Sequence, residues 1–408
     1  MVISDMKSVR LGLAGVVVAG ALAACGGGGE GPTTVAASAA QVELKAAATP
    51  GAKAAHVLIA QGPLAQRAGV LAAALGKPQR LLVGLGTVDV APVQVQGLRP
   101  DIYDQYLDVI GSSSWVNWNS PAGAYVTLVA QHADQLGAIP MFTLYQMAAN
   151  GDGVLTGLTN TRFMAQYWSN VRLMFQKLGA YGKPALVNLE PDFWGYTDRV
   201  NPDPTRMKAY VSLDSDCSTL PNTVAGVAAC LVQTARKYAP NAYVGFPPSL
   251  FPDLAGHELA YMQKLGAGQA DFVVMQTLDR DAGCFEAQYQ PDDCVRGGSG
   301  WYWDENNQTS PNFSEHFALA SSFHQGLALP LLWWQTPLGV PAAQPSQGSP
   351  WRDNRVHYFL NHASELVAAG GLGVVFSPGQ SAQTTIQSDG GQFRSLSAAY
   401  LSKPAALP

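Results

Sequence analysis

Residues 185 to 196 read ALVNLEPDFWGY: an apolar run meets Asn188, Glu190 and Asp192 at every second position. In an extended strand that spacing sets all three on one face, in steps of about 6 to 7 Å. A carboxylate placed at the end of a buried apolar run needs a compensating reason to be there. One such reason is acid/base work: a protonated carboxyl and an ionised one, facing each other across a sugar ring, cleave a glycosidic bond. Glu190 is the candidate acid, its pKa raised by burial beside Trp194 or Trp334, and Asp192 or Asp279 is the candidate ionised partner. Other apolar segments end in side chains suited to the same ligand. Rings at Tyr145, Trp194, Trp333 and Trp334 can stack on the apolar faces of sugars, and amides at Asn188, Gln276 and Gln335 can bind hydroxyls.

Competing chemistries lack their residues. There is no G-x-S-x-G elbow for a serine hydrolase and no phosphate-cradling loop, since GLGTVD at 84 to 89 has two glycines of the three a dinucleotide fingerprint needs. His357 and His362, five apart in a helical stretch, do not share a face for metal binding. No metal and no cofactor is expected. A formal net charge of −5 without a basic run argues against a nucleic-acid partner.

The elements that must hold these side chains recur along the chain. Eight short apolar segments bounded by Gly, Pro or polar turns are expected as strands: 80–86, 114–118, 139–146, 185–191, 242–248, 271–279, 329–337 and 372–379. Their continuous apolar character suits strands covered on both faces. Helix-length amphipathic patterns lie between most of them, at 160–182, 222–239, 314–328 (opening on Ser314 as a cap) and 352–371. Strand and helix alternating eight times predicts an α/β fold, a single-domain (β/α)8 TIM barrel, ahead of an open doubly wound sheet. The functional residues of such a barrel lie at the carboxyl ends of its strands, which is where the candidates above fall.

In this architecture the chain resembles, distantly, the barrel-fold glycoside hydrolases, several of which carry their acid/base Glu at the end of strand four, the place of Glu190. The resemblance departs at strand seven, where Gln335 stands in place of a nucleophilic Glu. NLE at 188–190 and VMQTLD at 274–279 are similar to the layout of chitinase-like, substrate-assisted families, which implies Asn188 orienting an acetamido group. A pair of Glu190 or Asp192 with Asp279 across the mouth is the other arrangement. Gln335 also keeps open a second class of function, a saccharide-binding surface protein with no catalysis.

Residues 1–24 combine Lys7 and Arg10 with an apolar run too short to span a membrane, as in a secretory signal. LAAC at 22–25 resembles the lipobox of bacterial lipoproteins, which implies cleavage before Cys25, acylation of Cys25, and, with Gly26 following, an outer-membrane destination in the cell envelope. A Gly- and Ala-rich tether follows over 25–55, and the folded domain, expected to be a monomer, over 56–408. Four further cysteines suit an exported, disulfide-bonded chain. The sequence-local pairs Cys217 with Cys230 and Cys284 with Cys294 would each staple a loop, among three possible connectivities.

Overall fold

The computed structural model describes residues 52–277, 281–292, 294–295, 301–341, 350–379 and 383–408. The lipobox with Cys25, most of the tether, and Asp279 lie outside the described residues. Eight parallel strands close into a barrel in the order of the chain: β1 Leu82–Gly86, β2 Ile102–Asp108, β3 Ile139–Tyr145, β4 Ala185–Leu189, β5 Ala242–Phe246, β6 Phe272–Gln276, β7 Leu331–Pro337 and β8 Gly371–Ser377. Parallel neighbours need a crossover, and a helix or pair of helices follows each strand on the outside.

The (β/α)8 expectation therefore holds, with one strand misplaced. Residues 114–118 are not strand two: Trp115–Asn117 form a single 3-10 turn in the loop that leaves β2. The real β2, IYDQYLD, is broken by Asp104, Gln105 and Asp108 and so lacks the continuous apolar run expected of a strand covered on both faces.

Local signals explain the helix bounds. Thr161–Tyr181 begins where the Asn160 side chain accepts the Phe163 N–H and ends at Gly182, whose φ of 73° favours glycine. Its buried stripe of Met164, Tyr167, Trp168, Val171, Phe175 and Leu178 packs on the sheet. Each such aliphatic or Phe side chain contributes about 1.5–3 kcal/mol. The helix Phe313–Leu327 is capped by Asn312 in a capping box with Glu315, ahead of the expected Ser314. The expected single helix 352–371 breaks at His362 into Arg355–Asn361 and Ala363–Ala368.

The amino-end face of the barrel is clamped by ion pairs. Asp101, just ahead of β2, takes both Arg80 nitrogens at 2.7 and 2.9 Å, and Asp271, ahead of β6, takes Arg236 twice at 2.9 Å. Gly245 lets β5 meet β6, because a Cβ there would lie 2.3 Å from the Phe272 ring. Both sequence-local disulfides are formed, Cys217–Cys230 and Cys284–Cys294. The second packs with buried Trp351 in a small cluster beyond the ends of β6 and β7.

Candidate active site at the barrel mouth

The strand absent from the sequence expectation carries the acids that face the barrel interior. Asp104, Tyr106 and Asp108 alternate along β2, and the register sets Tyr106 beside Thr143, Asp108 beside Tyr145, and Thr143 beside Asn188. Side-by-side residues of parallel strands share a face, so these side chains form rings around the barrel axis.

The inner ring centres on Asp104, which is wholly buried. Trp334 Nε1 donates to Asp104 Oδ2 at 3.0 Å, Thr143 Oγ1 donates to Oδ1 at 3.0 Å, and Asn188 Nδ2 donates to Thr143 at 3.4 Å. Loss of water raises the Asp104 pKa from 3.8 to about 7, against the opposing effect of the bonds from Trp334 and Thr143. Gly86 makes room for this carboxylate, since a Cβ there would stand 3.1 Å from Asp104 Oδ2 and 3.0 Å from Ser377 Oγ. Asn188 Oδ1 and Ser377 Oγ are buried without a hydrogen-bond partner, so the ring holds unspent polarity.

The outer ring is aromatic and acidic. Tyr106 tilts over Trp334 with ring centroids 5.8 Å apart, and meets Tyr145 edge to face at 6.1 Å. Gln335 Nε2 donates to the Tyr106 hydroxyl across the mouth. The Tyr145 hydroxyl donates to Asp152 at 2.8 Å and, more weakly, to Asp192 at 3.4 Å. Burial, then the charges of Asp192 and Asp152, hold Tyr145 far above the usual phenol range. Asp108, half-buried on the other side of Tyr145, has its pKa raised by burial, and its Oδ1 has no partner. Beside this ring a shallow depression, partly open to solvent, is lined by Tyr145, Met147, Gly153, Pro191, Asp192 and Tyr196.

The backbone at the strand ends is unusual. Thr87, Val109, Glu190, Asp192 and Gln335 all have φ between 53° and 64°, a region non-glycine residues rarely occupy. Such conformations persist only where the surroundings enforce them, and they cluster at functional sites.

This backbone corrects the expectation for Glu190. Side-chain parity runs through to Asp192 only in an extended chain, and the left-handed turn at Glu190 ends the alternation at Leu189. Glu190 Oε2 accepts the N–H groups of Gln146 and Met147 at 3.0 and 2.9 Å, and the side chain lies against Tyr167 of the helix Thr161–Tyr181, outside the barrel. The carboxyl is wholly buried, and burial raises its pKa to about 8, with the two backbone bonds and the Tyr167 hydroxyl opposing. Tyr167 is in turn pushed far up by burial and by Glu190. Even so, neither the Tyr167 hydroxyl nor Glu190 Oε1 reaches hydrogen-bonding geometry.

Three of the four expected stacking rings are buried, Trp334 over Asp104 and the other two in the core. Trp194 is wholly buried, its indole bonded to Leu189 O and its ring edge-on to Phe193 and Phe246. Trp333 points outward and donates to His316 Nε2 at 2.9 Å. That bond requires a neutral imidazole, and burial, then Arg355, lowers the His316 pKa to about 3. Asn188, Tyr145, Trp334, Gln335 and Asp192 do gather at the mouth, and buried Gln276 stands beside Trp334 in the register. Asp104, Tyr106, Asp108 and Asp152 are not among the residues expected from the sequence; the signal for the first three is their shared parity along IYDQYLD. Among the described residues no group of three or more His, Cys, Asp or Glu side chains is arranged to hold a metal ion.

No protein-family model matches the chain, and no curated protein sequence does. Among solved structures it is similar to the endo-β-1,4-mannanase from Thermotoga petrophila, at 12% identity over 80% of this chain and 77% of that one, with a TM-score of 0.44. The β-1,4-mannanase from the sea hare Aplysia kurodai gives 10%, 82% and 96%, with 0.40. A D-allulose 3-epimerase from Methylomonas sp. gives 11%, 79% and 98%, also with 0.40. Similarity at this level assigns no residue a role.

Proposed function

We propose that the protein hydrolyses glycosidic bonds of an oligo- or polysaccharide at the barrel mouth, with Asp108 as general acid and Asp192 as the ionised partner. The observation that carries this reading is the setting of Asp108: half-buried at the end of β2, raised in pKa, with one carboxylate oxygen unpaired, and beside Tyr145, whose hydroxyl reaches Asp192. A proton donor must hold its proton near working pH, and burial without a cation supplies that. Asp108 would protonate the glycosidic oxygen as the bond from that oxygen to the anomeric carbon breaks. Asp192 would either take a proton from the attacking water or attack the anomeric carbon itself. Carboxyl groups about 5 to 5.5 Å apart retain configuration and those about 6.5 to 9.5 Å apart invert it, so product stereochemistry identifies the role. Half-buried Tyr106, packed over buried Trp334, would form the stacking floor, and half-buried Gln335 would supply polar contacts, with Asn188 and Gln276 buried beneath them. Glu190 becomes a positioning residue that fixes the start of the loop after β3. Acylated Cys25 would hold the barrel at the cell envelope.

The test is release of reducing ends from a panel of bacterial, fungal and plant glycans. Asp108→Asn and Asp192→Asn should each lower kcat at least 100-fold, and activity should fall as pH rises through the raised Asp108 pKa. Full activity in Asp108→Asn would overturn the assignment. Gln335 on β7 and the sequestered Glu190 favour a second reading, saccharide binding without cleavage. Retention on a glycan with no release of reducing ends would establish it.

A further inference from the structure

Of the nine tryptophans, all among the described residues, only Trp118 is substantially exposed, at 42%. It sits in the loop that starts directly after Asp108 and leads from β2 to the helix Ala124–Leu136. The loop is built to present it. Trp115, wholly buried, anchors the segment from below, and the Gly123 N–H closes it by bonding to Val116 O at 2.8 Å. The Trp118 indole donates to Ser113 O at 2.8 Å, and the Asn117 amide donates to Ser112 O at 3.1 Å and Gly111 O at 3.3 Å. Tyr125 meets the Trp118 ring at 4.8 Å with planes crossing at 77°, an edge-to-face contact that holds the indole while 42% of the residue stays exposed. The loop begins one residue past the end of β2, so Trp118 stands on the face of the barrel that carries Asp108.

A large aromatic ring fixed at the surface by a hydrogen bond at its polar end offers its apolar body to the apolar face of a ligand. The chemistry around it narrows the ligand. Residues 109–123, VIGSSSWVNWNSPAG, hold no charged side chain, while Ser112, Ser113, Asn117 and Asn119 are exposed donors and acceptors. That combination suits a neutral saccharide, whose apolar face stacks on an indole while its hydroxyls meet amides and hydroxyls, and it offers nothing to a phosphate backbone or a charged peptide.

We propose that Trp118 is a distal sugar-binding platform, which holds a neutral saccharide chain where it leaves the mouth on the β2 side. The platform deepens the reading of the mouth as a saccharide site and rests on it. It makes affinity depend on chain length: a ligand filling only the mouth does not reach Trp118, and a longer one does.

The experiment measures binding apart from catalysis. Gel retardation on polysaccharides, and KM on an oligosaccharide ladder, are compared for the unmutated protein, Trp118→Ala and Trp118→Phe. Trp118→Ala should weaken retardation and raise KM for the longer oligosaccharides about 3- to 10-fold, in line with the loss of one aromatic contact. kcat and KM on the shortest substrates should stay unchanged, and Trp118→Phe should recover part of the loss. A Trp118→Ala protein that is hydrolytically competent and bound and turned over every chain length as before would overturn the platform alone. Retardation lost in Trp118→Ala, with no hydrolysis by the unmutated protein, would support the platform and sink the hydrolase. Neither retardation nor hydrolysis on any glycan would sink both.

Discussion

Replacing Glu190 by Gln separates the two roles open to this residue, acid and scaffold. In the fold its carboxyl is held to about 8, whereas in the unfolded chain it titrates near its ordinary 4.5. From pH 4.5 upward the unfolded chain sheds this proton while the folded protein keeps it, so stability falls with rising pH and levels off once pH passes about 8. At about 1.4 kcal/mol per pH unit the cost reaches the order of 5 kcal/mol for a group with no access to water. Asp104, raised to about 7, adds a loss of the same sign over the lower part of that window. His316, lowered to about 3, works the other way, losing stability as pH falls below 6.5, so only the difference between variant and parent isolates Glu190. The amide introduced by Glu190→Gln keeps a carbonyl oxygen for the Gln146 and Met147 N–H groups and brings an N–H toward the unpaired Tyr167 hydroxyl, with no proton to lose. Urea unfolding at a series of pH values from 4.5 to 8.5 should show Glu190→Gln close to the parent at the acid end and more stable by several kcal/mol at the alkaline end. Glycan hydrolysis by the same protein should survive. A stability difference that does not change with pH would refute the buried neutral carboxyl, and a stable variant that no longer cleaves would return the acid role to Glu190.

Two other perturbations test the frame around the mouth. Gly86→Ala would drive a methyl group to about 3 Å from both Ser377 Oγ and Asp104 Oδ2. Thermal unfolding should show a cost of about 1–3 kcal/mol, with hydrolysis lowered as the inner ring shifts; an unchanged Tm would mean that the ring relaxes freely. The double change Cys284→Ser with Cys294→Ser opens a loop of sequence separation 10 beside Trp351, and should cost about 2–3 kcal/mol by calorimetry. That loop lies beyond the ends of β6 and β7, so the cut should also weaken glycan turnover more than opening Cys217–Cys230 does. Equal effects on turnover would detach the loop from the mouth.

The barrel was legible because seven of its strands are apolar runs with helices between them, a pattern that buried parallel sheets impose on sequence. The eighth was hidden by the same physics. A strand that turns Asp104, Tyr106 and Asp108 into the barrel cannot be apolar throughout, so a search for apolar runs passes over it and settles on the nearby SWVNW, whose tryptophans serve as a loop anchor and an exposed ring. β4 misled in the opposite direction. Its side-chain parity is right as far as Asn188, which does face Thr143, and it fails where Glu190 adopts a φ of 56° that nothing in the residue type announces. Acids of one parity inside a strand, as Asp104 and Asp108 are, are therefore a better guide to the interior of such a barrel than acids just past its end. Within the strand the pleat dictates which way a side chain points, and past the end a single left-handed residue is enough to send a carboxyl out of the mouth and into the helix layer.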